Sequence, residues 1–132
     1  MTPEKSLRQW ISSNSPPLWH LQWIESSTSN GIPDLNVAGD RLEWWWELKA
    51  GTKFPELRPE QWAWLNRRAA AGGNVGVLHR RADGEQWWYL HGIKGAEIRA
   101  VSGKIKIVSS PIAQGLTMDL LRQAVLKHYS HV

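Results

Sequence analysis

The stretch from Pro33 to Ala50 constrains the fold of this chain more than any other part of it. Turn-forming residues at Ala38-Gly39-Asp40 separate a short first strand from a second strand, Arg41–Ala50, that is rich in aromatic residues. Neighbouring side chains on a strand point to opposite faces. One face of the second strand is therefore apolar and suited to packing against helices, with Leu42, Trp44, Trp46 and Leu48. The other face carries Glu43, Trp45, Glu47 and Lys49.

This second face carries groups that suit a metal ion. Glu47 and Lys49 lie side by side, and the hairpin brings Asp34 next to them. Mg²⁺ is usually held by one or two carboxylates together with water and substrate phosphate oxygens. A lysine two residues along orients or helps deprotonate an attacking water and offsets charge that builds on a phosphate. The same residues also occur as solubilising surface charge, so this pattern alone is a weak signal.

The order of these residues resembles a known signature. Pro33-Asp34, followed after a turn by Glu47-Leu48-Lys49, is similar to the PD-(D/E)xK motif of the restriction-endonuclease-like nuclease superfamily. A helix then begins at Arg58-Pro59-Glu60-Gln61 and ends at Gly72-Gly73. In the VRR-NUC and phage Holliday-junction-resolvase-like groups, such a helix carries a glutamine close to the catalytic lysine, and Gln61 is at the matching position.

The resemblance covers the chain from about Gly31 to Leu78, more than a third of its length. It implies an α/β protein with the αβββαβ core of restriction-endonuclease-like nucleases, in which a mixed central sheet is flanked by helices. In that family Asp34 and Glu47 would bind Mg²⁺, or Mn²⁺ as a substitute, with the backbone carbonyl of Leu48. Lys49 and Gln61 would position the water that attacks the phosphodiester directly.

The implied activity is that of a metal-dependent DNA endonuclease. The small size and the similarity to the phage-type groups favour branched or flapped DNA, such as a Holliday junction, in recombination, repair or phage DNA processing. Two other classes stay open: a non-catalytic DNA-binding module of the same fold, and a phage protein-interaction factor whose tryptophans form a binding face. The intact set of Asp34, Glu47 and Lys49 argues against the first.

One further carboxylate often completes the metal shell in the resembled families. Glu4 lies about as far upstream of Asp34 as such a residue would, although an acid in the first turn of a helix is also favoured by the helix dipole. Glu25, at the end of the first strand, is the competitor. Ser27, with its neighbours in the polar loop, is a candidate phosphate contact, and an ordinary surface loop is the alternative.

Several cations flank the presumed cleft. They are candidate phosphate contacts, although a solvated helix face would look the same: Lys53, Arg58, Arg67 and Arg68. The net charge of +4 and the pI near 9.7 are compatible with a polyanionic partner. The five histidines show neither a His-x-x-x-His nor a His-Asn-His arrangement, so we interpret them as structural or surface residues.

Length and composition indicate one domain and exclude several kinds of site. A length of 132 residues suits a single nuclease domain over residues 1–132. The absence of cysteine excludes disulfides, thiolate zinc sites and a cysteine nucleophile. No signal peptide is evident and no eighteen uncharged apolar residues occur in a row. We therefore expect no membrane contact and a cytoplasmic protein, in a bacterial cell or a phage-infected host.

Outside the hairpin, periodicity and cap residues predict helices over Thr2–Ser12, Arg58–Ala71 and Thr117–His128. Further strands are expected over Leu18–Glu25, Val75–His79, Gln86–Leu90 and Ile105–Val108, with a hairpin turn at Ala82-Asp83-Gly84. Ten tryptophans are more than such a core needs. The run Trp87-Trp88-Tyr89 places aromatics on both faces of a strand, and an uncovered patch there predicts a homodimer.

Overall fold

A computed structural model describes residues 2–25, 30–82 and 86–130 of the chain. Within these ranges the helices are α1 (Pro3–Asn14), α2 (Pro59–Ala70) and α3 (Met118–Tyr129). The strands are β1 (His20–Trp23), β2 (Leu35–Gly39), β3 (Leu42–Ala50), β4 (Glu56–Leu57), β5 (Val75–Arg80), β6 (Trp88–His91), β7 (Ile98–Val101), β8 (Lys104–Ile107) and β9 (Ala113–Gly115). All three predicted helices are present with shifted ends.

The helices begin where the sequence supplies side-chain caps. The Thr2 hydroxyl accepts a hydrogen bond from the Lys5 backbone N–H, and Pro3 occupies the first helical position. Thr117 caps α3 in the same way. These contacts satisfy backbone donors that have no partner inside the helix.

Six strands form one mixed sheet in the order β1-β2-β3-β5-β6-β9. The β3–β5 pair is parallel and the other pairs are antiparallel. With helices on its faces, this sheet confirms the expected mixed α/β fold class. The helix–three strands–helix–strand order follows the αβββαβ core, with the short strand β4 inserted before α2.

The central hairpin turns slightly later than the sequence indicated. Strand β2 runs through Gly39, and the turn is made by Asp40 and Arg41, whose φ angles are +53° and +63°. Two consecutive positive φ angles are characteristic of the type I′ turn, which matches the twist of the flanking strands. Asp40 is held there because its carboxylate accepts hydrogen bonds from the Trp19 indole and from Arg122.

Alternation along the strands divides the core between the two faces of the sheet. On one face Trp44, Trp46 and Leu48 belong to a buried cluster with residues of α1 and α3. On the other face Val75 and Val77 of β5 belong to a second cluster with α2, β4 and β8. The hairpin therefore packs against helices through the apolar face that its sequence predicts.

A second sheet was not predicted. Strands β4, β8 and β7 form it in that order, and β8 corresponds to the expected strand Ile105–Val108. Strand β4 has only two residues and all four residues of β7 are exposed, so neither has a burial alternation for a sequence pattern to reveal. The first predicted strand is also shorter, since Leu18 is exposed and pairing begins at His20.

The prediction of an exposed aromatic patch at Trp87-Trp88-Tyr89 is wrong. Trp88 and Tyr89 are 1% and 5% exposed, and Trp87 is half-buried. Trp88 belongs to the first core cluster and donates its indole N–H to the Thr117 carbonyl, while Tyr89 lies beneath Arg81 on the other face. The chain therefore covers both rings itself, which removes this reason for a dimer. The predicted turn at Ala82-Asp83-Gly84 lies largely outside the described residues.

None of the helices in the described ranges is both long and apolar enough to cross a membrane.

Candidate active site

The hairpin register places Asp34 beside Glu47. Leu35 pairs with Trp46, so the residue before Leu35 lies across from the residue after Trp46. The Leu48 backbone N–H donates to Asp34 Oδ2 over 2.9 Å, and the Ile24 N–H donates to the Asp34 carbonyl over 2.9 Å. Asp34 is thus fixed on both its side chain and its backbone.

The loop before Asp34 packs directly on the start of α2. Gly31 has a φ of +81°, and a Cβ at this position would lie 2.2 Å from the Glu60 carbonyl oxygen. Only glycine fits such an approach at such a backbone angle. This contact connects the loop that carries Asp34 to the turn of helix that carries Gln61.

Gln61 joins the lysine and the glutamate of the candidate site. Its Oε1 accepts hydrogen bonds from Lys49 Nζ over 3.2 Å and from the Arg58 backbone N–H over 2.9 Å. Its Nε2 donates to Glu47 Oε2 over 3.1 Å. Lys49 Nζ also lies 3.4 Å from Glu47 Oε2. Gln61 is itself buried, so α2 holds the two strand residues in a fixed relation.

The electrostatics of the site centre on Glu47, which is 2% exposed. Burial, with a further contribution from the nearby Asp34 carboxylate, raises the pKa of Glu47 to about 8, although Lys49 acts in the opposite direction. A carboxyl group in such surroundings resists ionisation until a positive charge arrives.

Glu4 on the first turn of α1 belongs to the same electrostatic group. Burial raises its pKa and the Asp34 carboxylate raises it further, whereas Lys49 and Arg8 act to lower it. Glu25, the alternative, is exposed and forms a 3.1 Å ion pair with Arg8. The structure therefore brings Glu4 towards Asp34 and directs Glu25 to a surface pair.

The donor set suits a divalent cation. Within the described ranges, no group of three or more His, Cys, Asp or Glu side chains is placed to hold a metal ion as it stands. Mg²⁺, however, needs only one or two carboxylates when water and substrate oxygens complete its shell. Asp34 and Glu47 meet that need, and a bound cation would offset the burial and the Asp34 repulsion that raise the pKa of Glu47.

The predicted phosphate contacts have different surroundings. Arg58 forms a 3.3 Å ion pair with Glu60, and the Lys53 ammonium lies over the Phe54 ring. Arg67 is exposed on α2 and lines a cavity of about 440 Å³.

Arg68 packs over two indole rings, 4.7 Å from the centroid of Trp64 and 5.6 Å from that of Trp45. Packing on these rings is a structural role for this side chain beside any contact with phosphate. Ser27 lies outside the described residues.

Sequence reasoning missed the basic residues at the end of β5. In the parallel pair Lys49 lies opposite His79, and Ala50 lies opposite Arg80. Arg80 thus ends the strand that neighbours β3, and Arg81 follows it. The only sequence signal was the Arg80-Arg81 pair itself, and its proximity to Lys49 depends on a strand pairing that no local pattern specifies.

No family model matches this chain, and no curated protein matches it. Among solved structures it is similar to Hjc of Archaeoglobus fulgidus, a Holliday junction resolvase from an archaeal hyperthermophile. The two share 14% sequence identity over 76% of this chain and 85% of that chain, with a TM-score of 0.53. At this identity the similarity shows a shared fold, and it agrees with the mixed α/β fold class that the sequence predicted.

Proposed function

We propose that this protein is a metal-dependent DNA endonuclease that hydrolyses phosphodiester bonds. The observation that carries the proposal is the convergence of Asp34, Glu47, Lys49 and Gln61 at one place on the sheet. Lys49, Gln61 and Glu47 share one hydrogen-bonded group between β3 and α2. Asp34, just before β2, accepts a hydrogen bond from the Leu48 backbone N–H, between Glu47 and Lys49 in the chain. The sequence motif predicts a catalytic role for each of the four.

Asp34 and Glu47 would hold the metal, Mg²⁺ or Mn²⁺, with the backbone carbonyl of Leu48. Glu4 adds negative charge from α1 and is a further candidate ligand. When bound, the cation supplies Lewis-acid activation of water and neutralises charge on the phosphate.

The residues of the chain prepare this chemistry. Lys49 presents a positive charge and proton-donor capacity to the water and the phosphate, and Gln61 fixes its direction. Because Gln61 also donates to Glu47, one side chain sets the positions of both the lysine and the metal-binding carboxylate. Burial of Glu47 keeps bulk water from screening these charges.

We further propose branched DNA as the substrate and residues 1–132 as one nuclease domain. The similarity to a Holliday junction resolvase supports this choice by analogy of fold alone. Two symmetric cuts across a junction would require two active sites, so the proposed working form is a homodimer with twofold symmetry. Placement in the VRR-NUC subgroup stays a prediction.

The test is incubation with a panel of linear, nicked, flapped and four-way DNA in Mg²⁺ or Mn²⁺. We expect cleavage of the branched substrates, none in EDTA, and none by Asp34→Asn, which should still bind DNA. Binding without cleavage under every condition would indicate a non-catalytic DNA-binding module. Absence of both would favour a protein-interaction role.

A further inference from the structure

A groove of about 600 Å³ lies between α1 and the end of β5, outside the candidate site. Residues from one side of α1 line it together with two arginines: Ser6, Gln9, Trp10, Ser13, Arg80 and Arg81. The hydroxyl and amide groups can donate hydrogen bonds, and no acidic residue of the described chain lines the groove. Its chemistry suits an anion with hydrogen-bond acceptors.

Each of the two arginines packs on an aromatic ring, and no carboxylate among the described residues pairs with either. The Arg80 guanidinium lies 4.8 Å from the centroid of Trp10, and that of Arg81 lies 4.0 Å from the centroid of Tyr89. Within the described ranges neither forms an ion pair, and Arg80 Nε is buried without a hydrogen-bond partner. A half-buried cation without a partner carries a desolvation cost that an anionic ligand would offset.

One end of the groove is lined by residues that are close in sequence to the candidate active site. Pro3 and Gly51 also line the groove. Pro3 precedes Glu4 in the chain, and Gly51 comes two residues after Lys49. A Cβ at Gly51 would lie 3.6 Å from Pro3 Cγ, so these two residues form the boundary between the groove and the site. From Pro3 to Ser13 the helix extends about 15 Å, at roughly 1.5 Å per residue.

We propose that this groove binds the DNA strand that runs from the cleavage site. Arg80 and Arg81 contact its phosphates, and the hydroxyl and amide groups of α1 add hydrogen bonds. About 15 Å accommodates roughly four nucleotides at about 3.4 Å each along one strand. This inference rests on the proposed nuclease function, because the site fixes where the strand begins.

The test measures binding of fluorescein-labelled d(T)6 in EDTA by anisotropy, so that no cleavage is involved. Ser13→Glu places a negative charge in the groove, and Ser12→Glu places the same charge on the adjacent exposed residue of the helix, outside the groove. We expect Ser13→Glu to weaken binding at least threefold more than Ser12→Glu. Both charges lie in the last turn of α1, so their effects on the helix should be similar.

A second pair of variants tests the arginine. Arg81→Gln should lower the slope of log K against log salt by about 0.7, the value for one phosphate contact on a single strand. Lys127→Gln removes one charge from the exposed side of α3 and should leave the slope unchanged. Thermal melts of all four variants verify folding.

Equal binding by the two glutamate variants, or an unchanged slope for Arg81→Gln, would overturn the inference, as would failure of the wild type to bind d(T)6. The proposed function fails separately, if the wild type binds d(T)6 in the expected manner but cuts no DNA in Mg²⁺ or Mn²⁺.

Discussion

The two faces of strand β3 differ in what they contribute to the protein. On one face Trp44, Trp46 and Leu48 are fully buried, and the Trp46 indole donates a 2.9 Å hydrogen bond to the Tyr129 hydroxyl. On the other face Glu47 and Lys49 are held by Gln61 beside a second carboxylate. The first face gains free energy from apolar burial, whereas the second buries a carboxyl group that resists ionisation.

The difference shows how one strand separates stability from chemistry. Alternation sends every second side chain into a dry core, so the strand stays anchored while the remaining side chains hold charges at close range. Substitutions on the two faces should therefore change the free energy of unfolding in opposite directions.

Trp46→Ala should have the largest effect on stability. It removes a fully buried indole and leaves the Tyr129 hydroxyl without this donor, so we expect a loss of about 3–5 kcal/mol. Urea unfolding followed by circular dichroism measures it. Trp46→Phe, the conservative control, should lose clearly less. A loss below about 1 kcal/mol for the alanine variant would show that this face does not anchor the strand.

His91, on a neighbouring strand, is a second ionisable group buried on the same face of the sheet as Glu47. Glu47 pairs with Val77 in the register and Val77 pairs with His91, so these residues form one row on the second face. Burial, with contributions from His79 and Arg81, lowers the pKa of His91 to about 4. Below pH 6.5 the unfolded chain binds a proton that the folded protein does not, so this contribution to stability falls as the pH drops from 6.5 to about 4.

Between pH 6.5 and about pH 4, the buried neutral His91 should lower the free energy of unfolding by about 3 kcal/mol in total. It is measured as the difference between the wild type and His91→Leu in urea unfolding at several pH values, because the titration of Glu47 cancels in that difference. The wild type should lose stability relative to the variant as the pH falls. A constant difference from pH 7 to pH 4 would contradict the burial of a neutral imidazole.

Glu47→Gln should remove cleavage and yet stabilise the metal-free protein. The pKa of Glu47 is raised from 4.5 to about 8, so its contribution to stability is full below pH 4.5 and is lost as the pH rises to about 8. At pH 8 in EDTA we expect a gain of roughly 2 kcal/mol, because the variant no longer buries an ionised carboxylate. A less stable variant at that pH would mean that Glu47 has a structural role.

The sequence predicted the elements that carry strong local signals. Alternation set the two faces of β3, and Pro59 with the nearby Gln61 marked the start of α2. The position of Asp34 followed from the hairpin, although the turn lies at Asp40 and Arg41 rather than one residue earlier. Local chemistry was enough there because the partners are close along the chain.

The remaining features depend on contacts between distant segments. The choice between Glu4 and Glu25 required the packing of α1, and the proximity of Arg80 to the site required the parallel pairing of β3 with β5. Strand β4 is too short to have a periodicity of its own and exists because β8 pairs with it. Such long-range pairing is not encoded in any short window of sequence.

The central claim is that Glu47 and Lys49, on the second face of β3, take part in the hydrolysis of DNA. It is tested most directly by single-turnover cleavage of a four-way junction in Mg²⁺ with Lys49→Ala and its matched control Lys104→Ala, which removes an exposed charge from β8. The account predicts that Lys49→Ala folds and binds the junction but cleaves at least about 100-fold more slowly, while Lys104→Ala stays within about threefold of the wild type. Cleavage by Lys49→Ala at the wild-type rate, or an equal loss in both variants, would contradict it.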